Sequence, residues 1–146
     1  MKISKHFTLD ECLKSETAAR LGIKNEPDDE QLRNIKALMC CCMDKVRDLF
    51  GVPIIPSSVF RSPKLNAKIP GSSKTSQHLK GQACDFVIAG VSVKDAIEKI
   101  QQAGIEYDQI IDEYGSWIHI SFVVGKNRMQ RLEYRKVKGR TVYRFI

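Results

Sequence analysis

The chain has 146 residues, 42% of them hydrophobic, with 24 Lys and Arg against 17 Asp and Glu and a formal net charge of +7. That length predicts one domain over residues 1–146, with a core large enough to need neither metal nor disulfide staples. No apolar run approaches the ~20 residues that cross a bilayer, which excludes an integral membrane protein and a membrane as partner.

In chain order, Met1–Glu11 is charged throughout and has no apolar h-region. No secretory signal is therefore expected, and synthesis in the cytoplasm is. Thr8-Leu9-Asp10-Glu11 fits a capping box, in which the Thr8 hydroxyl and the Glu11 carboxylate each satisfy the other's free backbone N–H. A short helix to about Lys14 follows. Ser15 caps a second helix, closed by Gly22. Asn25–Asp29 reads as a turn with an N-cap. From Glu30 to Phe50, apolar residues fall at Leu32, Ile35, Met39, Cys42, Val46 and Leu49. Their 3-4-3-4-3 spacing marks one face of a helix of about five turns. Cys42 lies on that stripe, so the triplet Cys40-Cys41-Cys42 reads as packing material rather than a metal or redox site. With Cys12 and Cys84 the cysteines form an odd set without a Cys-x-x-Cys pair, suited to a reducing compartment.

Ile54–Phe60, rich in β-branched residues and entered through prolines, is predicted to be a strand. Arg61–Ser76, with Pro63, Pro70, Gly71 and several serines, is predicted to be loop. A second strand is expected over Ala83–Ala89, with Ala83, Asp85 and Val87 on one face and Cys84, Phe86 and Ile88 on the other. Ser92 caps a helix that turns Val93, Ala96, Ile97 and Ile100 inward and ends at Gly104. Tyr107–Glu113 and Trp117–Val124 form a hairpin around Gly115-Ser116. From Lys126 to Ile146 there are eight basic residues against one acid, Glu133, which leaves sixteen of each sign in the first 125 residues. Arg131–Val137 and Thr141–Phe145 form a second hairpin turning at Lys138-Gly139, so 126–146 is a basic C-terminal hairpin. Helices gather early and strands late. The expected class is α+β, with a mainly antiparallel sheet and helices packed on it.

His78 lies seven positions before Asp85, and His119 sits in the alternating strand Trp117-Ile118-His119-Ile120-Ser121. Asp85 is flanked by Ala83, Cys84, Phe86, Val87 and Ile88, so its carboxylate leaves bulk water and needs a cation or a hydrogen-bond net. A structural aspartate and a satisfied core histidine would meet that need. Two imidazoles and a carboxylate are also the protein ligand set of an open catalytic zinc site.

Ser76-Gln77-His78, Gly81, Asp85 and the later Trp117-Ile118-His119 resemble the signature of the zinc D-Ala-D-Ala carboxypeptidases and L-alanyl-D-glutamate endopeptidases. These cell-wall peptidases share their metal site with Hedgehog signalling domains. Phe7–Glu11, Ser15–Ala18, Pro53–Ile55 and Arg61-Ser62-Pro63-Lys64-Leu65-Asn66 are similar to the family's small single-domain branch, so the resemblance covers most of residues 5 to 125. Val59-Phe60 departs from it, standing where the family often has Gly-Tyr. The resemblance implies a single zinc peptidase domain, with one zinc ion held by His78, Asp85 and His119. It makes Arg61 the substrate-polarising arginine, although alone Arg61 reads as a surface ion-pair residue. Ser76 either orients the metal loop or touches substrate.

Some members place a glutamate three residues before the last histidine ligand, where this chain has Ser116. Glu113, six before His119, resembles the spacing of the Hedgehog-like relatives and the small branch. Hairpin geometry bears on the same choice. A two-residue Gly115-Ser116 turn sets Asp112 opposite His119, whereas a three-residue Tyr114-Gly115-Ser116 turn pairs Glu113 with Trp117 on the face of His119. Glu113 is the expected base and Asp112 the alternative.

The function so implied is a zinc metallopeptidase hydrolysing peptidoglycan stem peptides, of D,D-carboxypeptidase or L-Ala–D-Glu endopeptidase type. Synthesis without a signal fits a phage or prophage lysin released onto the cell wall. The alternative is a catalytically inactive zinc-binding interaction domain. Nucleic acid is disfavoured as a partner of the tail, which lacks a recognition motif. The hairpin is expected to complete the sheet and draw the enzyme to an anionic wall polymer, outside the site itself.

Overall fold

In the computed structural model, which describes residues 1–146, helices from the first half of the chain and one later helix pack on a five-stranded sheet. Helix α1 (Leu9–Leu13) begins at Thr8, whose side chain accepts the Glu11 N–H at 3.2 Å while Glu11 accepts the Thr8 N–H at 3.0 Å. Helix α2 (Glu16–Leu21) is capped by Ser15 and closed by Gly22 in the left-handed conformation. Both ends follow from local hydrogen bonding, as expected.

The long helix is three segments run together: α3 (Asp29–Leu38), a π-helical turn (Met39–Met43) and α4 (Asp44–Phe50). Asp28 and Gln31 form its capping box. Ile35, Met39, Cys42 and Val46 are buried, as their spacing requires. The last turn departs from the expectation. Leu49 is 40% exposed, and Phe50 packs against the core in its place. The wider π turn shifts the phase of the residues that follow it. Cys42 is packing material, and burial pushes its thiol up to about 12, which leaves it inert.

Ile54–Phe60 is not a strand. It is an extended segment making a single bridge, Ser58 to Asp85. Pro53 and Pro56 have no N–H to give a ladder, so β-branched composition was overridden by missing donors. Within Arg61–Ser76, Ser62 caps a one-turn helix, α5 (Pro63–Asn66), too short to leave a period in the sequence. The next strand, β1 (Ala83–Phe86), ends earlier than expected, and Val87 is exposed instead of sharing a face with Asp85. Helix α6 (Val93–Gln102) is capped by Ser92 and buries Val93, Ala96, Ile97 and Ile100.

Strands β2 (Gln109–Glu113) and β3 (Trp117–Ser121) form the first hairpin, and β4 (Gln130–Val137) and β5 (Arg140–Phe145) the second. Lys138 and Gly139, both at positive φ, make the two-residue turn of the second. The sheet order is β1-β3-β2-β4-β5, antiparallel except where β4 joins β2 in parallel. The fold is therefore α+β with a mainly antiparallel sheet. Cys84, Phe86, Ile110, Ile118 and Ile120 project from one face into the core shared with Ile35, Leu38, Met39 and Ile97. Asp85, Ile111, Glu113, Trp117 and His119 share the other face.

Gly81 joins the two layers. It closes the 3-10 helix Gln77–Lys80 at φ +73, and a Cβ there would lie 2.7 Å from the Gln31 carbonyl oxygen and 2.8 Å from Ile35 Cγ1. Gln31 and Asn34 also donate to the Leu79 and Lys80 carbonyls at 3.1 and 2.9 Å. Gly81→Ala therefore combines left-handed backbone strain with a clash against α3. It is expected to cost about 2–4 kcal/mol, read as a lower denaturant midpoint at unchanged m-value.

Candidate metal centre

Three short elements bring the predicted ligands together. His78 sits on the 3-10 helix whose N-cap is Ser76, and the Ser76 hydroxyl oxygen accepts the His78 N–H at 3.2 Å. Asp85 is on β1, directly opposite His119 on β3. Asp85 is fixed on its other edge by the extended segment: its N–H donates to the Ser58 carbonyl at 2.8 Å, and its carbonyl accepts the Ser57 N–H at 2.9 Å. The proline-interrupted stretch thus holds a ligand strand in place without being a strand itself.

His78 Nε2 lies 3.2 Å from Asp85 Oδ2, and His119 Nδ1 lies 2.9 Å from Asp85 Oδ1. One donor atom from each residue falls within 4.8 Å of the others. His78 Nδ1 is 2.7 Å from the Val59 carbonyl oxygen. A carbonyl only accepts, so Nδ1 carries the proton and Nε2 keeps its lone pair for a cation, the arrangement typical of metal-ligating histidines. Burial also lowers the His78 pKa, against the opposing pull of Asp85, which favours the neutral ring that a metal needs. For Asp85, burial alone raises the pKa. The two imidazoles facing it outweigh that burial and hold the carboxyl well below its ordinary range. The residues fit one zinc ion in donor type, protonation and convergence, with coordination left open for water or substrate.

Arg61 is drawn into the same cluster. Its backbone N–H donates to the His78 carbonyl at 3.1 Å, its Nε to Ser58 Oγ at 3.2 Å, and its Nη2 lies 3.7 Å from Asp85 Oδ2. Glu113 and Asp112 are separated by the turn. Tyr114-Gly115-Ser116 is a three-residue connection that pairs Glu113 with Trp117 and Asp112 with Ile118. Glu113 shares the face of His119 and is half-buried. Burial raises its pKa, the charge of His119 opposes this, and Asp85 and Asp112 add to the rise. Asp112 faces the other way, buried against the Arg135 guanidinium at 3.0 Å and accepting the Gly115 N–H at 2.8 Å.

A cleft of about 830 Å³ opens over the cluster, lined by Arg61, Ser76, His78, Asp85, Glu113 and His119. Its remaining wall was not anticipated. Tyr114, Arg128, Tyr134, Lys136 and Thr141 line it too, so the basic hairpin is part of the cleft rather than an appendage outside it. The only sequence signal was the alternation along Arg131–Val137, which cannot say which strand it pairs with.

Two histidines and one carboxylate converging beneath an open cleft define a candidate metal-binding site. The family comes from the sequence: the model of the peptidase M15 family matches residues 5–121, and the chain belongs to that family. No curated protein matches the sequence. Family membership and the intact His78–Asp85–His119 cluster support a zinc-dependent peptidase acting on peptidoglycan-like substrates.

Proposed function

We propose that this chain hydrolyses a peptide bond of the peptidoglycan stem, as a D,D-carboxypeptidase or an L-Ala–D-Glu endopeptidase, with Glu113 as general base. The observation that carries this reading is Glu113, half-buried in the cleft on the sheet face of His119 and Asp85. His78, Asp85 and His119 would hold a zinc ion, which would supply Lewis acidity to the attacking water and the substrate carbonyl. Glu113 takes the proton of the attacking water and passes it to the leaving amine nitrogen. The Arg61 guanidinium, whose charge persists at any working pH, donates to the oxygen on which negative charge develops. Ser76 holds the His78 helix by its cap and lines the substrate side of the same loop.

An inactive zinc-binding interaction domain would hold the ion and turn nothing over. A base candidate and a cation lining the same cleft favour the enzyme. The biological setting we propose is a lysin acting on the wall. Lys126, Lys138 and Arg140, which have no acidic partner, would supply the attraction to an anionic wall polymer. Purified sacculi incubated with zinc-loaded protein and analysed by mass spectrometry test the reading. Released D-alanine marks the carboxypeptidase, and a new D-Glu amino terminus marks the endopeptidase. An unchanged muropeptide profile would overturn both.

A further inference from the structure

The hairpin wall of the cleft lies beyond residue 121, where the peptidase M15 match ends. Its place follows from pairing. Strand β4 runs parallel to β2 with Tyr134 beside Glu113, and the Tyr114 N–H donates to the Tyr134 carbonyl at 3.0 Å. Alternation along β4 puts Tyr134 and Lys136 on the sheet face of Glu113 and His119, and Arg135 on the face of Asp112. Thr141, opposite Lys136 on β5, shares the cleft face.

Half of the hairpin's cations are already engaged. Arg128 pairs with Asp108, Arg131 with Glu98, Arg135 with Asp112 and Glu133, and Arg144 with Glu133. Lys126, Lys138 and Arg140 have no acidic partner but do not line the cleft. Lys136 alone among the eight lines the cleft and has no acidic partner. Its ammonium donates to Thr141 Oγ1 at 3.0 Å and stands 5.7 Å from the centroid of the Tyr114 ring. An ammonium has three donors. The hydroxyl uses one and the ring face steadies the head, which leaves donors and a full charge at the cleft wall.

Resting on the peptidase reading of this cleft, we infer that Lys136, seated against Tyr114 and Thr141, determines specificity by binding a carboxylate of the peptide substrate away from the bond that is cut. A carboxylate completes the donor set of Lys136 with a charge-assisted hydrogen bond. A carboxamide presents the same shape without the charge. Arg61 cannot substitute for this contact, since it stands beside Asp85 at the metal cluster.

Trp117, the single tryptophan, lines the cleft 5.9 Å from the Tyr114 ring, so its fluorescence reports occupancy. The full-length protein, freed of metal so that nothing is hydrolysed, is titrated with an L-Ala–D-Glu stem peptide. The titration is repeated with versions of the peptide in which each carboxylate in turn is an amide. Hydrolysis of the same peptides by the zinc-loaded protein is followed by mass spectrometry. One amidation is expected to weaken binding about 2- to 5-fold in the wild type, the size of a single ion pair at an exposed site. In Lys136→Gln that difference is expected to collapse to about 1. In Lys138→Asn, which removes a neighbouring charge on the turn where Asn tolerates positive φ, it is expected to persist. If zinc-loaded protein cuts the peptides but the wild type shows no preference, or Lys136→Gln keeps it, the assignment of Lys136 is overturned and the peptidase reading stands. If no peptide is bound or cut, both fall.

Discussion

Glu113→Gln is expected to lower stem-peptide hydrolysis by about 10²- to 10⁴-fold, the usual contribution of a positioned general base. Zinc content and melting temperature should stay at wild-type values. The amide has the shape of the carboxylate and cannot take the proton of the attacking water, while Glu113 is not among the three converging donors. The pH profile supplies a second readout. A base works deprotonated, so activity falls as pH drops through its pKa. Burial raises Glu113, with His119 opposing and Asp85 and Asp112 reinforcing. The acid limb should therefore lie above the ordinary glutamate value of about 4.3 and disappear in the glutamine variant. Asp112→Asn should behave differently. It breaks the buried contact with Arg135, so stability falls while turnover per folded molecule survives. Wild-type rates in Glu113→Gln would remove it from catalysis.

Asp85→Ala is expected to abolish both zinc retention and hydrolysis. It removes the carboxylate that lies between the His78 and His119 donor atoms and also faces Arg61. Two imidazoles alone make a poor site for a divalent cation, and the half-buried Arg61 guanidinium loses its nearest counter-charge. Zinc measured by atomic absorption should fall from about one ion per chain to a small fraction of that. Thermal melting gives a readout independent of activity. Free zinc at about 1,000 times its dissociation constant stabilises a native state by roughly 4 kcal/mol, which for a chain of this length raises the midpoint by roughly 10 °C. The wild type should show that rise and Asp85→Ala should not. Chelation should silence the wild type reversibly and leave nothing to rescue in the variant. A zinc-dependent rise retained in Asp85→Ala would place the ion elsewhere.

The need of the Asp85 carboxylate for partners is legible in the residues around it, and the ligand set follows from the resemblance to the family. A carboxylate among Ala83, Cys84, Phe86 and Val87 needs partners wherever it is buried, yet a structural aspartate and a satisfied core histidine would meet that need as well. The hairpin turn shows where legibility stops. The sequence allows two or three residues at Tyr114-Gly115-Ser116, and each length sends a different acid to the side of His119. Tyr114 and Gly115 both at positive φ make the longer connection, and Glu113 shares the face of the metal ligands. The strand expected over Ile54–Phe60 failed for a local reason, the two missing proline donors. That segment still does the work of an edge, holding Asp85 through the Ser57 and Ser58 backbone.

The positive charge that distinguishes the last 21 residues has changed meaning. On composition it belonged to a hairpin apart from the chemistry. In the folded chain, four of its eight cations are held by acids and a fifth, Lys136, stands in the cleft wall. The amino-acid sequence by itself determined the helix caps at Thr8, Ser15 and Ser92 and the strand alternation. Each of these depends on groups within a turn or a few residues of one another. Only the tertiary structure decided which acid faces the metal side and that β4 lies parallel to β2. Both are matters of register between strands, set by how the whole sheet buries its apolar face against the helices. That one parallel pairing carries Tyr134 and Lys136 from a basic tail to the edge of the metal centre.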